Sequence, residues 1–254
     1  MKSSAVVSQR DRFSGNPLAP VSQGAGIAAA VREWRRVDGG GRVIDRDEDP
    51  LEFARVLSLS DAVFGLAMTL LVVSIVVPPG LSSRQYTVAM GELVPRVAIM
   101  AVSFAVAASA WIGHRRFFSR LQRIDAGIQW RNFVLLGLVA LFPLAHQVLG
   151  SYADEPLSYV LYAMILSAVN VMFVVLELHA ARGDLLRPGA TEASHRLEVA
   201  RAVLDAAGFA LSIPLAFLVV AWTPLLWVAL LPLEALLVWR MRPSRPSPAS
   251  PRAK

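Results

Sequence analysis

The chain reads as an all-α integral membrane protein with six transmembrane helices, and three observations carry that reading. Its 254 residues are 55% hydrophobic and only 17% charged, with a mean hydropathy of +0.51, too apolar for a soluble domain of this length. Uncharged stretches recur at lengths of roughly 17 to 25 residues, enough to cross about 30 Å of hydrocarbon at about 1.5 Å per residue. Basic residues alternate between crowded and nearly empty loops, as the positive-inside rule requires.

The elements follow in order. Residues 1–47 are rich in Ser, Gly, Arg and Val without periodicity and are expected to form a disordered basic cytoplasmic N-terminus. Lys2, Arg10 and Arg12 are not followed by an apolar run, which argues against a cleaved secretory signal. Residues 48–55, EDPLEFAR, form an amphipathic lead-in. The spacing predicts spans over 56–77, 93–113, 132–150, 157–178, 202–221 and 224–239, within a membrane domain of residues 48–240. The sixth is short, contains Pro232 and Glu234, and follows the fifth after only Trp222-Thr223-Pro224, which suggests a tight hairpin. A Pro/Ser/Arg-rich tail, 241–254, is expected to be disordered and cytoplasmic.

Charge placement gives the topology and excludes a partner class. There are 25 Lys+Arg against 19 Asp+Glu, a balance that could suit nucleic acid. Nine basic residues precede the first span, five lie between spans two and three, four between spans four and five, and five follow span six. Only Arg84 and Arg96 fall in the remaining loops. The excess therefore marks the cytoplasmic side of a lipid bilayer, not a nucleic-acid surface. A multi-pass protein of the cell's inner (plasma) membrane with both termini cytoplasmic is expected.

Catalytic signatures are absent from the sequence. With no cysteine there is no disulfide, thiolate metal site or cysteine nucleophile. His114, His146, His179 and His195 show no metal-protease spacing, and no G-x-S-x-G, P-loop or dinucleotide fingerprint occurs. No enzyme activity, metal site or cofactor is expected.

The informative residues lie on the first three spans. Arg55, Ser60 and Asp61 open a helix that is otherwise apolar. An acid near a lipid-spanning segment needs partners. Asp61 therefore either locks helices together through Arg55, His114 or Arg115, or forms a cytoplasmic vestibule that attracts cations. Leu66, Leu70 and Val73 share one helical face, with Thr69 and Ser74 beside it. That stripe is a packing face or, with the helix at a symmetry axis, a set of stacked apolar rings. Trp111 suits the interface, His114 closes the second span, Asn132 opens the third, and Pro143 interrupts it. Glu177, Asp205 and Glu234 are assigned no role.

Three segments resemble the transmembrane-protein-175 potassium channels, endolysosomal in animals and single-repeat in bacteria. R-V-L-S-L-S-D resembles the family's Arg-x-x-x-Phe-Ser-Asp, supplying Arg55, Ser60 and Asp61 with Leu59 at the phenylalanine position. W-I-G-H-R-R-F resembles Trp-x-x-His-His, supplying Trp111 and His114 with Arg115 at the second histidine. W-R-N-F-V-L-L through L-F-P-L resembles the third helix through Asn132 and Pro143. The resemblance implies a homotetramer of six-span subunits around four first helices, with K+ as the permeant ion and no TVGYG-type filter. It implies an apolar pore constriction at Leu66, where the family has isoleucine, continued by Leu70 and Val73, with Thr69 and Ser74 as adjacent polar groups. Arg55, Ser60, Asp61, Trp111, His114 and Asn132 are implied to brace the pore helix. Passive K+ conduction is the expected function. The alternatives are a proton-linked transporter titrating Asp61 and a scaffold with no permeant.

Overall fold

The computed structural model describes residues 43–219 and 223–241. Residues 1–42 of the expected N-terminal segment, Trp222 of the last turn and residues 242–254 of the tail lie outside them. The described chain is helical apart from a short antiparallel ribbon of β1 (Ile44–Asp45) and β2 (Arg123–Ile124), with Ile44 opposite Ile124.

Helix α1 covers Pro50–Val73. Proline suits its first turn because the N–H it lacks would have no acceptor there, and Glu52 complements the positive helix end. Pro78 and Pro79 discourage continuation. The lead-in and the first span therefore merge into one helix. Helix α2, Ser83–Arg120, has 38 residues, a length of about 57 Å at about 1.5 Å per residue. It overruns the expected 93–113 at both ends. A capping box fixes its start, with the Ser82 N–H donating to Gln85 Oε1 at 3.0 Å. Hydropathy registers only the uncharged centre, whereas Arg84, Glu92, Arg96 and the closing arginines continue the helix beyond it.

Helices α3 (Ala126–Ala140) and α4 (Phe142–Ser151) form one candidate span broken at Leu141. Pro143 causes the break, since it offers no N–H to the preceding turn. Asp125 caps α3 by accepting the Ile128 N–H at 2.7 Å. The helix thus begins before Asn132, which lies inside it and does not open it. Helix α5 covers Pro156–Arg182, and α6 covers Glu192–Leu218 behind a Thr191 cap. Helix α7, Thr223–Met241, occupies the place of the sixth expected span. Among the described residues five segments are long and apolar enough to cross a membrane: α1, α2, α3 with α4, α5 and α6. Helix α7 is not among these five.

Two buried clusters hold the helices. One gathers Phe53, Phe64, Phe117, Phe118, Ile128 and Leu176 beneath the ribbon. The other gathers Leu71, Phe142, Tyr162, Phe209, Trp227 and Leu230. Gly208 lets α6 approach α7, because a Cβ there would collide with the Leu230 side chain.

Residues 43–47, expected to be disordered, instead strap the start of α1 to the turn after α2. The Arg46 N–H donates to the Gln122 carbonyl at 3.0 Å. Gln122 Nε2 donates to Asp45 at 3.1 Å and to Asp47 at 2.9 Å. The Arg46 guanidinium reaches the Phe118 carbonyl at 2.6 Å and covers the Phe53 ring at 4.0 Å. These partners lie more than 70 residues away, apart from Phe53, and local periodicity carries no trace of them.

Candidate functional site

Helix α1 is apolar on two sides. Phe53, Ser60, Phe64, Ala67 and Leu71 form one buried stripe at helical spacing. On the other side Leu66 is 62% exposed, Leu70 49% and Val73 63% in the single chain. An uninterrupted apolar face of this kind belongs against lipid or other helices. Thr69 shares the open side, and its hydroxyl donates to the Leu66 carbonyl at 2.9 Å. The Ser74 hydroxyl, half-buried, donates to the Leu71 carbonyl at 2.8 Å. Both hydroxyls are satisfied within their own helix, so the open face needs no polar partner.

Behind α1 three side chains from three helices form a directional chain. The Ser60 hydroxyl donates to the Val56 carbonyl at 3.0 Å, and so accepts from Asn132 Nδ2 at 3.0 Å. Asn132 Oδ1 then faces His114 Nε2 at 2.9 Å, which assigns the proton to that nitrogen. His114 is fully buried between the Phe64 and Phe118 rings, at centroid distances of 5.4 and 4.4 Å. It is an interior strut, not a boundary histidine that reaches for the lipid heads. The chain ties α1 to α2 and α3 with each of these hydrogen bonds pointing toward the α1 backbone.

Asp61 sits beside this chain and outside the buried stripe. Its carboxylate accepts the Trp111 indole N–H at 2.7 Å, and the Arg115 guanidinium lies 5.0 Å from the same ring. The expected cationic partner is thus replaced by a neutral donor, with Arg115 attracted to the ring face. Arg55 is separate. It pairs with Glu52 at 2.6 Å, one turn earlier on α1, and its side chain is 75% exposed. Within the chain the structure joins Ser60, Asn132 and His114, joins Asp61 and Trp111, and leaves Arg55 out of both groups.

Sequence reasoning missed two further polar groups. Glu177 on α5, given no role, is buried and accepts from Arg120 of α2 and faces His195 Nδ1 of α6 at 3.1 Å. His146, Ser103 and Tyr162 form a second buried cluster, with Ser103 Oγ 3.0 Å from His146 Nδ1 and 3.1 Å from the Tyr162 hydroxyl. An acid within an apolar helix and a histidine within a span were the available signals.

Comparison with known proteins bears on the same helices. A family model described as endosomal/lysosomal potassium channel TMEM175 matches residues 55–143, from Arg55 through the α3 to α4 break. A potassium channel of Streptomyces collinus is 31% identical over 171 residues, covering 65% of this chain and 83% of that protein. The endosomal/lysosomal proton channel TMEM175 of Rattus norvegicus is 24% identical over 172 residues, which span only 34% of its length. Among solved structures, the lysosomal potassium-selective channel TMEM175 homolog from Chamaesiphon minutus superimposes with a TM-score of 0.58 at 25% identity, covering 76% of this chain and 99% of that one. Sequence shared over most of the Streptomyces protein, with the family segment falling on the helices that build the α1 network, shows that this chain belongs to the TMEM175 potassium channel family.

Proposed function

We propose that the chain is one subunit of a homotetrameric potassium channel that conducts K+ passively through a central pore lined by four copies of α1. The observation that carries this reading is the open apolar face of α1, Leu66, Leu70 and Val73, within the family-matched segment and held from behind by the Ser60–Asn132–His114 chain. Rings of these side chains around an axis form a constriction that gates by excluding water. Thr69 and Ser74 add no charge to it. Helix α7 supplies the sixth span, both termini face the cytoplasm of the cell's inner membrane, and the channel works without a cofactor.

Asp61 distinguishes the channel from a proton-linked carrier. A channel needs its carboxylate only to hold Trp111, a task an amide oxygen also performs, whereas a carrier needs it to titrate. The test is flux from liposomes holding the purified protein under separate K+, Na+ and H+ gradients, for wild type and Asp61→Asn. The channel predicts downhill K+ flux in both. Loss of transport in Asp61→Asn with the assembly intact, or K+ movement driven by a pH gradient, would favour the carrier. No flux in either protein would leave a scaffold.

A further inference from the structure

Arg84 is placed against two rules at once. The positive-inside pattern leaves the side opposite the termini nearly bare of basic residues, and Arg84 and Arg96 are the exceptions. Arg84 also sits in the first turn of α2, where the positive end of the helix dipole disfavours a cation and no acidic residue offsets it. Arg96 is answered by Glu92, one turn earlier, at 3.4 Å. The Arg84 side chain is exposed and has no ion pair or hydrogen bond among the described residues. A residue that breaks local preferences without local compensation points to function.

Its position joins it to the end of α1. A groove of about 390 Å³ has Val76, Val77 and Pro78 on one wall and Arg84, Glu92 and Arg96 on the other. Val76 closely follows Val73, the last residue of α1, and both are exposed. Arg84 therefore stands beside the segment through which the chain leaves α1. Asp154 and Glu155, the remaining charges on this side, belong to the α4–α5 turn and do not line the groove. With two guanidiniums against one carboxylate, the groove is net positive.

We propose that Arg84 is a conductance-determining residue at the extracytoplasmic mouth of the pore, where its four copies form a positive ring that depletes K+ and limits entry from that side. This place at the mouth rests on the α1-lined tetramer of the proposed channel. Charge of like sign lowers the local cation concentration at a mouth without any contact between guanidinium and ion. Entry is affected more than exit, because entry depends on the ion concentration at the mouth. The channel therefore passes K+ outward more readily than inward when salt is dilute.

The test is single-channel recording of the full chain in neutral planar bilayers with equal KCl on both sides, for wild type, Arg84→Glu and Arg84→Lys. At about 10 mM KCl, where the Debye length is about 30 Å, Arg84→Glu is expected to raise the current in one direction about fivefold over wild type. Arg84→Lys should match wild type. At about 1 M KCl, where the Debye length is about 3 Å, all three should conduct alike, which separates a charge effect from a change in pore shape. Leu66→Asn is recorded alongside as a report on the pore itself. Altered conductance in Leu66→Asn together with wild-type currents in Arg84→Glu at low salt would overturn the role of Arg84 alone. An Arg84→Glu effect undiminished at about 1 M KCl would overturn it too, as a structural effect. Leu66→Asn currents equal to wild type would remove the pore from α1, and Arg84 from its mouth. Should Arg84→Glu fail to assemble, Arg84→Gln, which removes the charge without reversing it, is expected to raise the low-salt current about twofold.

Discussion

Asn132 stands at the centre of the bracing chain, donating a hydrogen bond to Ser60 and accepting one from His114. Replacing it with leucine strands the buried His114 N–H. We expect Asn132→Leu to cost about 1–3 kcal/mol, read as a lower melting temperature in detergent. Arg55→Ala should change stability by less than about 0.5 kcal/mol, because its pairing with Glu52 is exposed on both sides. Glu177→Ala should cost about 3–5 kcal/mol, since it leaves Arg120 and His195 facing each other without their shared carboxylate. These contrasts mark what the sequence could disclose. Ser60, His114 and Asn132 stood out because polar groups in apolar helices must find one another. The partner of Arg55 did not, because its long side chain can reach one turn back as readily as across to another helix. Glu177 was passed over because its partners come from the last turn of α2 and the start of α6, with nothing in the spacing to join them.

At the scale of elements, the first five spans were legible and their ends were not. Hydropathy marks where a helix meets hydrocarbon, whereas capping and proline decide where it starts and stops, as Ser82 with Gln85 and Pro143 show. The β1 strap was illegible because its pairing is entirely remote. It carries a pH dependence. The Asp47 backbone N–H and the Gln122 side chain hold the Asp45 carboxyl below its ordinary value, against the opposing effect of desolvation. A carboxyl lowered in the folded state stabilises above its unfolded pKa and loses that contribution as pH falls through its folded pKa. Protection of the Ile44 and Arg46 amides, taken relative to their intrinsic exchange rates at each pH, should therefore fall below about pH 4 and stay level through neutrality, and Asp45→Asn should remove the acid-dependent part. The approach of α6 to α7 supports another prediction. Gly208→Ala should destabilise by about 1–3 kcal/mol through overpacking against Leu230. Leu230→Ala in the same chain should recover part of that loss, a coupling that a double-mutant cycle measures.

For the whole molecule, the described residues of one chain leave an apolar face on α1 exposed, and the homotetramer we propose covers it with three more copies. The sequence contains no cysteine, so Leu66→Cys introduces a single reporter. Oxidation should produce disulfide-linked dimers in mild detergent if four α1 helices surround an axis, and exclusively monomeric product would remove the central pore. Membrane character and the alternation of basic loops were plain from composition, because a bilayer constrains length and charge so strongly. Assembly was not, because an apolar stripe reads alike whether it meets lipid, a neighbour or a pore. The measurement that bears most directly on a pore lined by α1 is K+ flux through liposome-reconstituted wild type and Leu66→Asn at matched protein content. A polar ring at the narrowest point should ease wetting and raise K+ flux by about tenfold, the effect of lowering a barrier by about 1.4 kcal/mol. Identical K+ flux in the two proteins, with both assemblies intact, would contradict the account and move the permeation path off α1.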